Sequence, residues 1–462
     1  MTEQMKQVEQ VDVVVLGMGP GGEEVAGRLA EAKLDVIGIE GNLLGGECPY
    51  WGCVPSKMMI RAADLLAEAR RVPGMAGGAD VRPDWAPVAH RIRSEATDSW
   101  DDAVAVERFE GKGGRFVRGW ARLEGPGRVA VGDRVIEAGR AVVIGIGSRA
   151  WAPPVAGLAG TPYWTNREAI ETEKVPRSLV VLGGGAIGVE LAQVFRRFGS
   201  EVTVLEAAPH LVPPEEPEAG LLLAEVFGAE GIDVRTGTSV ESVRHDGERF
   251  AVELSEGEPV VSERLLVAAG RRVDLATLNV ASVGIDESAR ALPVDDRLRV
   301  VGTERTWAVG DVTGKGAFTH MSMYQADIVV NDILGREVVP ADYRAVPRVT
   351  FTDPEIGSVG LNEGEARHQG LDVRVGRAEI PSSTRGWIHK AGNRGFIKLV
   401  EDAGRGVLVG ATSVGPWGGE VLGLLTLAVY AEVPTDRLRH MIYAYPTFHR
   451  AVEAAVKDLG EA

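Results

Sequence analysis

Two cysteines, Cys48 and Cys53, are the residues of this chain with the clearest capacity for chemistry. They are its only cysteines and are five positions apart. A structural zinc site needs four ligands, and no CxxC or HxxxH set accompanies the pair; inert core thiols are a second alternative. A disulfide across so short a loop gains little entropic stabilisation, which suits a bond that is made to be broken. A helix opening after the pair would lower a thiol's pKa.

A glycine-rich turn precedes the cysteines. The apolar run at residues 11–16 leads into Gly17, Gly19 and Gly22, and a helical pattern follows. This order predicts a strand, a tight turn and a helix whose N-terminus accepts a pyrophosphate. The next apolar run stops at Glu40, whose carboxylate can accept hydrogen bonds from a ribose.

The same arrangement recurs later in the chain. An apolar run leads to Gly183, Gly185 and Gly188, and Glu206 follows Gly183 by 23 positions, as Glu40 follows Gly17. Two complete units predict two bound dinucleotides. Glu206 would repel a 2′-phosphate, and residues 207–210 contain no Lys or Arg, so NADH is favoured over NADPH.

The length of the chain, 462 residues, predicts two to four domains. Residues 141–148 and 265–271 are typical of strands that return to a glycine turn, and the chain past Pro347 has an antiparallel-looking β pattern mixed with helices. We therefore predict an α/β protein with two Rossmann-like dinucleotide-binding domains and a C-terminal α+β domain.

Composition limits the possible partners. The net charge of −16 and the lack of a long basic run argue against nucleic acid. The polar N-terminus does not resemble a signal peptide, and no apolar stretch has the roughly 20 residues that a membrane helix needs. We expect a cytoplasmic protein that acts on small molecules.

The segment CPYWGCVPSK resembles the redox signature of the pyridine nucleotide-disulfide oxidoreductases, a family that includes dihydrolipoamide dehydrogenase, glutathione reductase and mercuric reductase. The resemblance covers nearly the whole chain. GMGPGG is similar to the family's FAD fingerprint, and GIGS, which contains Gly147, to a later turn. LLVAAGR, with Gly270, is similar to its crossover strand, and TERTWAVGD, with Gly310 and Asp311, to its second FAD motif.

The resemblance implies a domain plan and two cofactors. Residues 1–150 would bind FAD, with residues 271–346 returning to that domain, and residues 151–270 would bind NAD(H). Residues 347–462 would form the dimerisation domain of a homodimer. Asp311 would bind the ribityl chain of the flavin.

The resemblance also implies roles for the reactive side chains. Cys53 would be the thiol against the flavin, and Cys48 the outer thiol that meets the acceptor. Lys57 would lie beside the flavin, paired with Glu190, which faces the nicotinamide. An ordinary solvated ion pair is the alternative for Lys57 and Glu190.

One segment departs from the family pattern. Disulfide reductases of this family carry HPTxxE near the C-terminus, whereas this chain has YAYPTFHRAVE, so that Tyr445 replaces the His and Arg450 the Glu. Tyrosine, with an ordinary pKa of about 10, is a poor base at neutral pH. His449, four positions later on a predicted helix, is a possible substitute, and a plain surface or packing histidine is the alternative.

The substrate stays open at this stage. Mercuric reductases carry a C-terminal cysteine pair that is absent here, and soluble transhydrogenases lack a counterpart of Cys53. We expect electrons to pass from NAD(P)H through FAD and the Cys48–Cys53 disulfide to a small disulfide, a quinone or a metal ion. A transhydrogenase-like enzyme, a direct flavin quinone reductase and a non-catalytic redox sensor are the alternatives.

Overall fold

The computed structural model describes residues 8–460. The chain forms two compact units, each assembled from three segments. Within the described range, the first unit comprises residues 8–55, 90–151 and 271–342, and the second comprises residues 56–89, 152–270 and 343–460. The division into three domains at residues 150, 270 and 346 stays a prediction.

A seven-stranded sheet forms the centre of the first unit. Val8–Leu16 is a central parallel strand, and its residues alternate between two cores: Val13 and Val15 pack on one face, Val14 and Leu16 on the other. A strand that is buried on both faces is typical of a doubly covered parallel sheet. The other parallel strands are Val36–Glu40, Arg115–Arg118, Arg134–Ile144 and Thr306–Ala308, and Arg128–Val131 and Ala121–Leu123 extend the sheet in antiparallel fashion.

The crossover from the first strand to the second is the helix Pro20–Glu31, which buries Val25 and Leu29 against the sheet. The helix Thr319–Ile333 joins the same core through residues such as Val329. This confirms the predicted strand, turn and helix that follow from the first glycine motif.

The second unit contains a four-stranded parallel sheet in the order Asp233–Arg235, Glu201–Leu205, Ser178–Leu182 and Arg264–Val267. A three-stranded antiparallel sheet shares its core and consists of Val240–His245, Phe250–Leu254 and Val260–Ser262. The helix Ala186–Arg197 follows the strand Ser178–Leu182, as the second glycine motif predicts.

The C-terminal part of the second unit is a five-stranded antiparallel sheet packed with two helices, Gly418–Tyr430 and His449–Asp458. Its strands, in spatial order, are Pro347–Thr350, Glu355–Gly360, Val407–Gly415, Phe396–Asp402 and Val373–Glu379. The two parallel sheets and this antiparallel layer confirm the predicted fold class.

Two of the remaining helices are long: Cys53–Arg71, with 19 residues, and Pro217–Glu230, with 14. In the part of the chain that the structure describes, no helix has the length and apolar character needed to cross a bilayer. The other helices are Glu47–Trp51, Ala86–Arg91, Ala103–Gly111, Asn166–Glu171, Leu275–Leu278, Glu363–His368, Thr384–His389 and Thr435–His440; the π and 3-10 turns are Ile92–Ala96, Asp98–Trp100, Val280–Val283 and Gly310–Thr313; the paired short strands are Arg149–Ala150 and Arg271–Arg272.

Candidate functional site

In the first glycine turn, two glycines leave no room for a side chain and the third does. Gly17 has a φ of 88°, and a Cβ on it would lie 2.5 Å from the carbonyl oxygen of Gly145. A Cβ on Gly22 would lie 2.0 Å from the carbonyl oxygen of Gly17, whereas one on Gly19 would meet nothing within 4 Å. Gly19 is also the N-cap of the helix Pro20–Glu31, and it makes no side-chain capping hydrogen bond. This open N-terminus fits a pyrophosphate.

The second glycine turn has the same geometry. Gly183 has a φ of 113°, and a Cβ on Gly188 would lie 2.0 Å from its carbonyl oxygen. A Cβ on Gly185 would meet no neighbour within 4 Å, and this residue is the uncapped N-cap of the helix Ala186–Arg197. The second unit therefore offers an equivalent open helix N-terminus for a second dinucleotide.

In each unit, the acidic residue at the end of the next strand is hydrogen bonded to the backbone of the glycine turn. Glu40 accepts a hydrogen bond from the backbone amide of Met18 (2.9 Å), and Glu206 accepts one from the amide of Gly184 (2.6 Å). These bonds hold each carboxylate at the carboxyl end of its strand, beside the open helix N-terminus. A carboxylate in this position fits the hydroxyls of a dinucleotide ribose.

Three glycines of the motifs that follow the first turn also have positive φ angles. The values are 64° at Gly147, 125° at Gly270 and 79° at Gly310, in the left-handed region that favours glycine. A Cβ on Gly147 or Gly270 would meet nothing within 4 Å. The amide of Gly310 donates to the buried side chain of Gln325 (2.7 Å), which fixes the loop that carries Asp311.

Asp311 is held by a polar network within the first unit. The hydroxyl of Ser148 donates to the Asp311 carboxylate (2.5 Å), and Arg271 donates both to that hydroxyl (2.8 Å) and to the Ser148 carbonyl (2.5 Å). Arg271 also lies 3.8 Å from Glu47, the residue before Cys48. The network ties the Asp311 loop to the helix that carries the first cysteine.

The two cysteines lie at adjacent helix ends and both are free thiols. Cys48 is in the helix Glu47–Trp51, and Cys53 is the first residue of a 19-residue helix. The Cys53 sulfur lies 3.4 Å from the hydroxyl of Thr319, which is itself the first residue of the helix Thr319–Ile333. Two helix N-termini therefore meet at the cysteine pair, an arrangement that favours negative charge there.

The pKa of the Cys48 thiol is raised above its usual range, first because it is hydrogen bonded to Cys53 and second because it is half-buried. Thr319 opposes this shift without cancelling it. For Cys48, the direction of the pKa shift is opposite to the one expected from a nearby helix start. Cys48 therefore keeps its proton at neutral pH.

Lys57 and Glu190 form an ion pair in the second unit, with 2.8 Å between Nζ and Oε2. Glu190 is 5% exposed, and its other oxygen accepts a hydrogen bond from the amide of Phe351 (2.8 Å). The Lys57 ammonium lies 4.7 Å from the centroid of the Phe351 ring. The acid is therefore buried and hydrogen bonded at both oxygens, whereas the Lys57 side chain is 36% exposed, so the pair is only partly solvated. The roles of the two residues beside the flavin and the nicotinamide stay predictions.

Tyr445 and His449 are separate from this ion pair. Tyr445 is 67% exposed and its hydroxyl donates to Thr384 at 3.4 Å. Across residues 8–460, no hydrogen bond joins Tyr445 or His449 to Lys57 or Glu190. The predicted helix at His449 is confirmed: the helix His449–Asp458 begins at this residue, and Tyr445 precedes it. The role of His449 as a substitute for the family's histidine stays a prediction.

Sequence reasoning missed several residues of the site. Thr319, Ser148 and Phe351 contact predicted site residues from distant parts of the chain, and Arg271 contacts Ser148. Ser148 belongs to the segment GIGS and Arg271 to the segment LLVAAGR, so these two residues could have been found from the motifs. Within residues 8–460, no group of three or more His, Cys, Asp or Glu side chains is arranged to hold a metal ion.

Comparison with known sequences defines the class of protein. Residues 11–326 match the family described as pyridine nucleotide-disulphide oxidoreductase, and residues 346–456 match its dimerisation domain. The chain is 31% identical to a dihydrolipoyl dehydrogenase from Thermus scotoductus, covering 97% of both proteins. It is 30% identical to a mercuric reductase from Acidithiobacillus ferrooxidans, covering 97% of this chain and 82% of that protein.

Solved structures agree with this assignment. The HOCl-induced flavoprotein disulfide reductase RclA of Escherichia coli, solved as a Cu(II) complex, superposes with a TM-score of 0.85 at 26% identity, over 97% of this chain and 99% of that one. LpdA of Mycobacterium tuberculosis superposes with a TM-score of 0.84 at 25% identity, over 98% of this chain and all of that one.

The chain belongs to the pyridine nucleotide-disulphide oxidoreductase family. It is an FAD-dependent oxidoreductase that uses NAD(P)H, which confirms the predicted enzyme class and cofactors. The dimerisation domain indicates a homodimer.

Proposed function

We propose that this protein takes electrons from NADH and delivers them, through Cys48 and Cys53, to a thiophilic metal ion such as Cu(II). The observation that carries the proposal is the raised pKa of Cys48, which is hydrogen bonded to Cys53. In addition, the chain has Tyr445 where the family has a histidine. At the position where the family carries the histidine base for the outer thiol, this chain therefore supplies a tyrosine, which is a poor base at neutral pH.

Each of the two units would bind one of the two cofactors. Gly17, Gly19, Gly22 and Glu40 would hold FAD with Asp311, and the second glycine turn with Glu206 would hold NADH. FAD, when bound, accepts a hydride and returns two electrons to a disulfide. Glu190 and Lys57 would orient the nicotinamide side of the reaction. In balance, NADH, one proton and the disulfide give NAD⁺ and the two thiols of Cys48 and Cys53.

We infer the class of electron acceptor from the reactions that are open to the Cys48 thiol without a base. Reducing a small disulfide requires a Cys48 thiolate to attack sulfur, and a raised pKa makes this thiolate scarce. A thiophilic metal ion displaces the thiol proton into water as it binds, so it needs no protein base. Two Cu(II) ions and the dithiol would give two Cu(I) ions, the disulfide and two protons. The related RclA structure with Cu(II) and the related mercuric reductase support this acceptor class.

The proposal is tested by supplying NADH and measuring turnover with Cu(II), oxidised lipoamide, a benzoquinone and a nicotinamide analogue. We expect Cu(I) to form fastest, and Cys48→Ser to remove this activity relative to protein-free controls. Faster turnover of oxidised lipoamide would instead favour a disulfide reductase, as the dihydrolipoyl dehydrogenase relatives suggest. Failure to turn over any acceptor would favour a redox sensor.

A coenzyme prediction rests on Glu206. Because its carboxylate is held beside the open helix N-terminus, Glu206→Ala should raise the NADPH rate relative to the NADH rate by roughly tenfold. Flavin reduction by each coenzyme, followed in a stopped-flow instrument, measures the ratio. Glu201→Ala, an exposed position at the other end of the same strand, is the matched control and should leave the ratio unchanged. An unaltered ratio in Glu206→Ala would show that other groups select the coenzyme.

A pH prediction rests on Cys48. Since its pKa is raised, the thiolate population grows as pH rises, and reduction of oxidised lipoamide should increase steadily from about pH 6 to about pH 9. Tyr445→His should add a rise centred near the ordinary histidine pKa of about 6.5. Tyr445→Phe is the control and should follow the unmodified protein. A plateau below about pH 8 in the unmodified protein would contradict the raised pKa.

A further inference from the structure

A large aromatic side chain lies against the backbone next to Glu40. A Cβ on Gly41 would fall 2.4–2.6 Å from ring atoms of Trp120, so only glycine leaves room for the indole. The amide of Gly119 donates to the carbonyl of Glu40 (2.9 Å), which fixes the Trp120 loop to the same backbone. Trp120 is nevertheless 58% exposed, which is a large apolar surface to leave uncovered.

The topology brings Trp120 to the ligand-binding edge of the sheet. Strands Val36–Glu40 and Arg115–Arg118 are parallel, with Arg118 opposite Glu40. Trp120, two residues further on, therefore emerges at the carboxyl edge, where open α/β sheets bind their ligands. The guanidinium carbon of Arg149 lies 5.3 Å from the centroid of the indole and steadies it by a cation–π contact.

The second dinucleotide unit lacks this feature. The residue that follows Glu206 is Ala207, where the first unit has Gly41. Strand Asp233–Arg235 pairs with Glu201–Leu205 and leads to Thr238, whose amide donates to the Glu206 carbonyl (3.0 Å) as that of Gly119 does to Glu40. Ser239 is therefore the positional counterpart of Trp120. The glycine and the indole occur together in the first unit, which indicates a role specific to the ligand of that unit.

We propose that Trp120 is a stacking surface for the adenine of FAD and a main source of FAD affinity. This inference rests on the assignment of FAD to the first glycine turn. Adenine is the aromatic part of FAD that is joined to the ribose, and Glu40 would bind that ribose. An exposed indole beside Glu40 therefore offers the adenine a stacking face. Base–aromatic stacking typically strengthens binding by about tenfold to a hundredfold. Trp120 is a positioning residue and takes no part in electron transfer.

The test compares FAD and FMN binding to the apoprotein by quenching of flavin fluorescence. Trp120→Ala should weaken FAD binding by about tenfold to a hundredfold and leave FMN binding unchanged, because FMN has no adenine. Trp120→Phe should retain most of the affinity, and Gly41→Ala, which displaces the indole, should resemble Trp120→Ala. Trp151→Ala removes an indole with a similar arginine contact, from Arg272 at 4.0 Å, and should change neither affinity.

Two results would overturn the inference. One is unchanged FAD affinity in Trp120→Ala, and the other is an equal loss of FAD and FMN affinity, which would indicate damage to the site as a whole. The underlying FAD assignment is tested separately by Gly19→Val, whose side chain would enter the predicted pyrophosphate space. If Gly19→Val binds FAD normally, the assignment itself fails; if it loses FAD while Trp120→Ala does not, the stacking role alone fails.

Discussion

Replacing Cys53 with Ser should lower NADH-dependent Cu(II) reduction by at least about a thousandfold, the scale typical for loss of a reacting group. A serine hydroxyl cannot form the disulfide that carries the electrons, so the relay stops at the flavin. FAD content should stay near one per chain, and NADH should still reduce the bound flavin. Cu(I) formation, thiol titration after NADH addition and flavin absorbance measure the three quantities.

The comparison variants make this result specific. Cys48→Ser should cause a similar loss of Cu(II) reduction, because both sulfurs are needed for the relay. Val54→Ser places a hydroxyl at the next position, which is also exposed, and should keep full activity. If Cys53→Ser retains turnover with quinones and Cu(II) alike, the cysteines are bystanders and the enzyme passes electrons directly from the flavin.

The two dinucleotide units were predictable because the signals that define them are local. Gly17 and Gly22 are required by the turn itself: the first has a left-handed φ, and the second leaves no room for a Cβ beside the preceding carbonyl. Glu40 lies on the next strand, and its hydrogen bond back to Met18 spans one supersecondary unit. Spacing along the sequence therefore corresponded to proximity in the fold.

The parts that could not be predicted depend on contacts between distant segments. Thr319 reaches Cys53 across 266 positions, and Phe351 reaches Glu190 across 161. No spacing rule links such residues, because the whole fold brings them together. The raised pKa of Cys48 has the same origin in part, since it depends on burial.

The end of the chain shows the limit of periodicity. The apolar pattern near residue 450 predicts a helix, and the helix His449–Asp458 is present. The pattern alone does not show at which residue this helix begins. Boundaries are set by the turn that precedes them rather than by the apolar face. The roles of Tyr445 and His449 in place of the family's histidine stay predictions.

Gly185→Val should reduce the rate of flavin reduction by NADH by about a hundredfold, the scale of a misplaced substrate, while leaving FAD content and folding intact. Gly185 has an extended backbone, with φ −74° and ψ 176°, that valine adopts without strain. Its Cβ would meet no protein atom within 4 Å, so the added bulk enters only the space over the helix N-terminus. Stopped-flow reduction, flavin content and thermal unfolding are the measurements.

Two further glycine variants make the outcome decisive. Gly188→Ala forces a Cβ to within 2.0 Å of the Gly183 carbonyl and should lower thermal stability, because backbone must move to admit it. Gly19→Val, the counterpart in the first unit, should lose FAD and keep its fold. If Gly185→Val loses FAD and Gly19→Val loses only the NADH reaction, the two cofactors have been assigned to the wrong turns. If Gly185→Val reduces flavin at the normal rate, the second turn does not bind the coenzyme pyrophosphate.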